Sequence, residues 1–216
     1  MLENKKHVFW QALFLTLLFF SIGLVFGVYL EQLRADNVNV AFYQSETSLY
    51  DSFALGILSS NPKITCNEIK SANVDFANKI YEEALELEKF DQSSKLTNSL
   101  ETIHRKYDLL RTLLWMNIIS AKENCADIKT VVYLYEYKAQ DIEMKSKQIV
   151  WSRILQELKE NKGDEIVLIP IAADQKILSL DYLLKSYNIT EFPAVVINEK
   201  TVLYEHKTAE ELERLI

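Results

Sequence analysis

Glycine, proline and histidine are scarce in this chain, at 4, 3 and 3 residues out of 216. So few turn-formers disfavour a loop-rich β fold and favour long helices. No Gly-rich phosphate loop and no Ser-His-Asp arrangement occurs, and His7, His104 and His206 are scattered rather than spaced as metal ligands. The two cysteines have no histidines nearby, which leaves a tetrahedral zinc site short of ligands. Neither a metal nor a cofactor is therefore expected. Positive charge is also short, with 24 Lys and Arg against 31 Asp and Glu and a formal net charge of −7. Without a basic stripe, nucleic-acid binding is not expected. Acidic pairs such as Glu82-Glu83 and Glu210-Glu211 read as solvated helix faces, not as a general acid and base.

What is present is apolar. Hydrophobic residues make up 49% of the chain and aromatics 11%, enough for a sizeable core in one or two domains. Residues 8–30, VFWQALFLTLLFFSIGLVFGVYL, carry no charge. At about 1.5 Å per residue this run crosses a hydrocarbon layer of roughly 30 Å with slight tilt. Trp10 and Tyr29 stand near its ends, as interfacial aromatics do. A cleaved signal peptide is the alternative, but its apolar region is shorter and ends in an A-x-A-like site, which this run lacks. Lys5 and Lys6 precede the run, whereas Arg34 follows it among Glu31 and Asp36. That bias predicts a cytoplasmic tail at 1–7, a single membrane anchor at 8–30 and everything after it outside the cytoplasm.

Cys66 in KITCNEIK and Cys125 in KENCADIK each border a predicted helix. In an extracytoplasmic domain an even count reads as a disulfide, here closing a loop of about 60 residues. Two unrelated buried thiols are the alternative. No C-x-x-C occurs anywhere.

Residues 31–126 form a predicted helical region. Leu33, Val40, Phe42, Leu49, Phe53 and Ile57 recur at helical spacing until Asn61-Pro62, and this helix could continue directly from the membrane span. Thr65 with Glu68 makes a capping box, followed by a face of Ile69, Ala72, Phe76, Ile80, Ala84 and Leu87. Leu96, Leu100, Ile103, Tyr107, Leu110, Leu114, Asn117 or Ile118, and Ala121 then follow a heptad-like seam. His104 beside it reads as a surface or packed residue, and Trp115 as packing. The expected result is a helical hairpin or three-helix arrangement.

The pattern changes near residue 129. KTVVYLYEYK alternates as a strand, and EIVLIPIAAD, apolar on both faces, is expected in the middle of a covered sheet. Between them, 141–161 is a predicted helix with an apolar stripe of Ile149, Val150, Ile154, Leu155 and Leu158. A shorter helix at 178–189, a hairpin of 194–198 with 201–205, and a closing helix at 208–216 capped by Thr208 and Glu211 complete the order β-α-β-α-β-β-α.

That order over 127–216, together with YNITEFPAVVINEK, resembles the thioredoxin-like superfamily. The resemblance implies an α/β sheet domain in which Pro193, preceded by Phe192, takes the place of the family's cis-proline. A trans proline opening an edge strand is the alternative. The family carries C-x-x-C just after its first core strand, where the helix N-terminus stabilises a thiolate. Here the matching tetrad is Ala139-Gln140-Asp141-Ile142, within one or two residues, and no shift supplies a cysteine. The layout is also similar to membrane-anchored thioredoxin-like proteins of prokaryotic envelopes.

Three functional readings follow. In the first, a non-catalytic module holds an extracytoplasmic peptide or protein, or serves as structure, with Lys138, Ala139, Gln140, Asp141, Phe192 and Pro193 lining a groove. Asp141 then caps the helix rather than moving protons. In the second, a thiol-disulfide oxidoreductase uses Cys66 and Cys125. In the third, 31–126 binds a partner helix or self-associates. The Asn188-Ile189-Thr190 sequon lies close to the groove, and such short matches occur by chance.

Overall fold

The computed structural model describes residues 5–57, 65–91 and 97–216. Side chains in parts of the first helix, in the last turns of the second and in the first turn of the third are outside that description. The seam residues Val40, Phe42, Leu49, Phe53, Ile57, Ala84, Leu87, Leu96 and Leu100 and the Asn61-Pro62 stop fall there. Helix α1 (Lys5–Ile57) is continuous. Its stretch Val8–Leu33 is long and apolar enough to cross a membrane, and is wholly exposed. Within it Thr16 and Ser21 donate their hydroxyls to the carbonyls of Ala12 and Leu17, at 2.8 Å each, so neither polar group is left unsatisfied. Residues 1–43 and 44–216 separate into two compact units.

In the second unit, α2 (Cys66–Asp91) begins with the expected capping box. Thr65 donates its N–H to Glu68 at 2.7 Å, and Glu68 returns its own to Thr65 Oγ1 at 3.3 Å. Helix α3 (Thr97–Ala121) lies antiparallel to it, because Asn117 bonds Asn73 at one end and Tyr107 bonds Glu83 further along, at 3.1 Å each. The strands are β1 (Lys129–Tyr135), β2 (Ile166–Ala172), β3 (Ala194–Ile197) and β4 (Thr201–Leu203). Helix α4 (Ile142–Lys162) and a single 3₁₀ turn connect the first two, α5 (Leu178–Ser186) precedes β3, and α6 (Ala209–Glu213) closes the chain.

The sheet order is β2-β1-β3-β4, with β1 and β2 parallel and the other pairs antiparallel. One face carries Val131, Tyr133, Val195 and Ile197 against Trp151, Leu155 and Leu158 of α4 and Leu212 of α6. Helices α2 and α3 pack against β2, and α3 also meets α5. The change of pattern near residue 129 therefore lies inside one compact unit.

Three expectations need correction. Strand β2 is not central: it is the edge strand beside β1. Its apolar composition arises because α2 and α3 cover it, and Pro170 lies in it, as a proline on an edge strand can. The apolar stripe of α4 is displaced too. Ile149 and Val150 are 54% and 42% exposed, while Trp151, between the expected positions, is fully buried. Finally, α3 buries more than a seam. Asp108, Arg111 and Thr112 are buried beside Tyr107, Leu110, Leu114 and Ile118, because α2 and β2 both pack on this helix, while His104 and Trp115 are packed as expected.

The β3–β4 connection is a tight turn with Asn198 and Glu199 both at positive φ, 51° and 55°, and Lys200 N bonded to Ile197 O at 3.0 Å. Two such residues suit the right-handed strand twist of a hairpin. Glu199 is an uncommon residue there. Its carboxylate accepts from Trp115 Nε1 at 3.1 Å, from Thr130 Oγ1 at 2.6 Å and from Lys122 Nζ, so helix α3 and strand β1 hold the turn in place. Tyr187 stacks on Trp115 with ring centroids 5.5 Å apart. Burial, and then the Glu199 charge, raise its phenol pKa.

Candidate functional site

Strand β1 ends at Tyr135, and the chain reaches α4 through residues 136–141. The loop is held from several sides. Tyr137 and Lys138 donate backbone N–H groups to the Asp174 carboxylate at 2.9 and 3.1 Å, and Gln148 Nε2 bonds Glu136 O at 3.2 Å. Asp141 is the N-cap of α4, accepting from Glu143 N and Met144 N at 3.3 and 3.4 Å. Such a cap offsets donors that the first helical turn leaves unpaired.

The remaining groove candidates separate by side chain. Lys138 extends to Glu101 of α3, with Nζ–Oε2 at 2.6 Å, and this contact holds the Glu101 carboxyl below its ordinary pKa. Gln140 folds its amide back onto Lys138 O at 3.1 Å. Ala139 and Pro193 are buried and Phe192 is half-buried. The Phe192–Pro193 peptide is cis. Leu134 pairs with Ala194, so continuing the register sets Pro193 level with Tyr135, where the loop departs. The backbone thus brings residues 192–193 to the C-terminal end of β1. The side chains of Lys138 and Gln140 are engaged elsewhere. Ile142, the first residue of α4, is 79% exposed. Asn188 of the sequon is exposed just beyond α5.

Cys66 and Cys125 are joined, with Cα atoms 5.4 Å apart. They tie the start of α2 to the turn after α3, as an antiparallel pair allows. Cys125 lies just before β1, whereas the 136–141 loop follows it. Strand β1 has seven residues, and at roughly 3.3 Å per residue its two ends are about 20 Å apart, with Cys125 before the first and the loop after the second.

A separate cleft of about 630 Å³ was not anticipated from the sequence. Tyr133 and Tyr135 of β1 contribute to its lining, with ring centroids 5.4 Å apart. Tyr81 comes from α2, His104 and Arg111 from α3, and Lys145, Ile149 and Arg153 from α4. Arg111 pairs with Asp108 at 3.1 Å, and the same carboxylate oxygen accepts from Ala172 N at 3.1 Å. Burial raises the Asp108 pKa, against the opposing pull of Arg111 and the Ala172 N–H. Tyr133 donates to Gln148 O at 3.2 Å, and burial raises its phenol pKa well above the usual value. The alternation Tyr133, Tyr135, Tyr137 was the available signal, since a period of two puts the first two rings on one face of the strand. None of the six groove candidates lines this cleft.

No family model matches the sequence, and no curated protein matches it significantly. Among solved structures, oxidized thioredoxin O2 from Arabidopsis thaliana is similar over 47% of this chain and 83% of that one. The identity is 14% and the TM-score 0.31.

Proposed function

We propose that this protein is a membrane-anchored, extracytoplasmic, non-catalytic module with a thioredoxin-like sheet. It holds an extended peptide or protein segment where the β1–α4 loop meets Phe192 and Pro193. The sheet order β2-β1-β3-β4, with a parallel first pair joined through a helix, supports the fold assignment. The observation that carries the function is the site of the cysteines. Both are held in one disulfide at the opposite end of β1 from the junction, and the junction offers Ala139-Gln140-Asp141-Ile142 instead of thiols. A thiolate is the nucleophile of dithiol exchange, so that chemistry has no reagent at the junction. Phe192, half-buried, and Ile142, exposed, supply apolar contacts, and the backbone before Pro193 supplies a donor and acceptor for an extended chain.

The test places a photo-crosslinking residue at 192 in the full-length membrane protein, with a control at exposed Glu157. The reading expects discrete protein or peptide adducts from 192 and none from 157. Equal labelling at both positions would remove the groove. Disulfide reductase activity that disappears on Cys66→Ser would replace the binding reading by an enzymatic one.

A further inference from the structure

We propose that the cleft between α3, α4 and β2 is a second binding site, for a small soluble organic anion with a flat apolar or aromatic body. Its lining includes none of the six groove candidates, although Glu136 and Tyr137 of the β1–α4 loop border it, and its volume of about 630 Å³ lies in the range that encloses a drug-sized molecule.

Charge complementarity selects the ligand's sign. The chain as a whole carries a net charge of −7. The cleft reverses that balance: Arg111, Lys145 and Arg153 line it together with His104, and Glu136 is the one acidic residue in its lining among the described residues. The Arg111 charge is already matched by Asp108, so Lys145 and Arg153 set against Glu136 leave the lining with one net positive charge. Neither of these two has an ion-pair partner among the described residues. They stand eight residues apart on α4, about 12 Å along its axis. Arg111, only 6% exposed, is a built part of the opposite wall: Asp108 fixes its guanidinium, and it neighbours Leu168 and Pro170 of β2.

The body of the ligand is selected by the surface between these cations. Tyr133 and Tyr135 lie stacked on the sheet face, Tyr81 faces the cleft from α2, and Ile149, Leu168 and Pro170 complete an apolar lining. Aromatic rings with polar tips suit a flat ligand that keeps one polar end. The half-exposed Ile149 follows directly, since a bound ring removes it from water. Strand addition at β2 is disfavoured, because Pro170 has no N–H to offer and α2 packs against this strand.

The probe is 2-naphthoate, titrated calorimetrically into the full-length protein in detergent micelles. The uncharged 2-naphthalenemethanol and the long-chain anion oleate serve as comparisons. Saturable naphthoate binding is expected. It should weaken about tenfold in the double variant Lys145→Glu, Arg153→Glu, and the alcohol should bind more weakly and respond little to that change. Tyr81→Ala should weaken both aromatic probes. The substituted residues are exposed, and circular dichroism with quantified disulfide content verifies folding of each variant. Absence of saturable naphthoate binding overturns the proposal, as does equal affinity in the charge-reversed variant. Binding of oleate without naphthoate also overturns it, and assigns the cleft to a lipid chain.

Discussion

Replacing Glu199 should destabilise the 44–216 unit more than any ordinary surface turn substitution would. Its carboxylate and the Lys122 ammonium are 11% and 17% exposed, so solvent screens the pair only in part. Glu199→Ala removes the acceptor for Trp115 Nε1, Thr130 Oγ1 and Lys122 Nζ together. Trp115 is fully buried and would lose its indole partner, while the ammonium would keep its desolvation cost without its counter-charge. Breaking such a pair from one side costs about 3 kcal/mol. In a unit of this size that is a fall in Tm of roughly 6–12 °C. Two further variants separate the causes. Glu199 has φ 55°, so Glu199→Gly keeps the same losses but relieves the backbone, and should be less damaging than Ala by about 1 kcal/mol. Adding Lys122→Met to Glu199→Ala removes the stranded cation and should restore part of the stability. The assay is thermal and urea unfolding of the full-length protein, followed by near-ultraviolet circular dichroism. A loss below about 0.5 kcal/mol for Glu199→Ala, or a double variant whose loss is the plain sum of the two single ones, would refute the reasoning.

Removing the disulfide as Cys66→Ala, Cys125→Ala should cost up to about 4 kcal/mol by loop-closure entropy, since it joins residues 59 positions apart. The urea midpoint with and without reductant checks this, and the double variant should be insensitive to reductant. Asp108 has a raised folded pKa, chiefly through burial, so the folded state binds its proton more tightly than the unfolded state. Its term therefore favours folding at low pH and is lost as pH rises from the ordinary Asp range, near about 3.9, through the raised folded value. Asp108→Asn should abolish that part of the pH dependence in urea titrations, and should also destabilise at neutral pH by leaving Arg111 buried without its carboxylate. Asp141→Ala removes the α4 N-cap and should cost about 1 kcal/mol, with Asp141→Ser recovering most of it. A value near zero would mean that the Asp174 contacts alone hold the loop.

Much of the architecture is local, and local features are legible along the chain. The Thr65–Glu68 and Thr208–Glu211 boxes are four-residue patterns, and both form with reciprocal hydrogen bonds. The uncharged 8–30 run has the length and composition of a span, independent of any partner. The misplaced features depend on what covers an element. EIVLIPIAAD is apolar on both faces, which points to a central strand, and its one edge-strand mark is Pro170; the composition itself follows from the helices that roof it. Of the expected α4 stripe, Ile154, Leu155 and Leu158 pack on the core, but Ile149 and Val150 do not, because the helix is oriented by the larger Trp151 sealing against β1 and by the cleft that leaves Ile149 half in water. Of the groove candidates, the sequence order brought Pro193 to the right end of β1. Where Lys138 and Gln140 point depended on Glu101 and on the loop's own carbonyl.

By itself the sequence determined an apolar N-terminal helix, the succession of helices and strands, the helix caps and the absence of thiols from the β1–α4 junction. These are matters of composition and short-range spacing. Tertiary structure alone decided which strand lies at the edge, that Glu199 at a positive-φ turn is held by Trp115, Thr130 and Lys122, and that four tyrosines, His104 and three cationic side chains from four elements and the β1–α4 loop enclose one cleft. Those residues are far apart in the chain, and only the packing of α2, α3 and α4 around the sheet brings them within reach of one another.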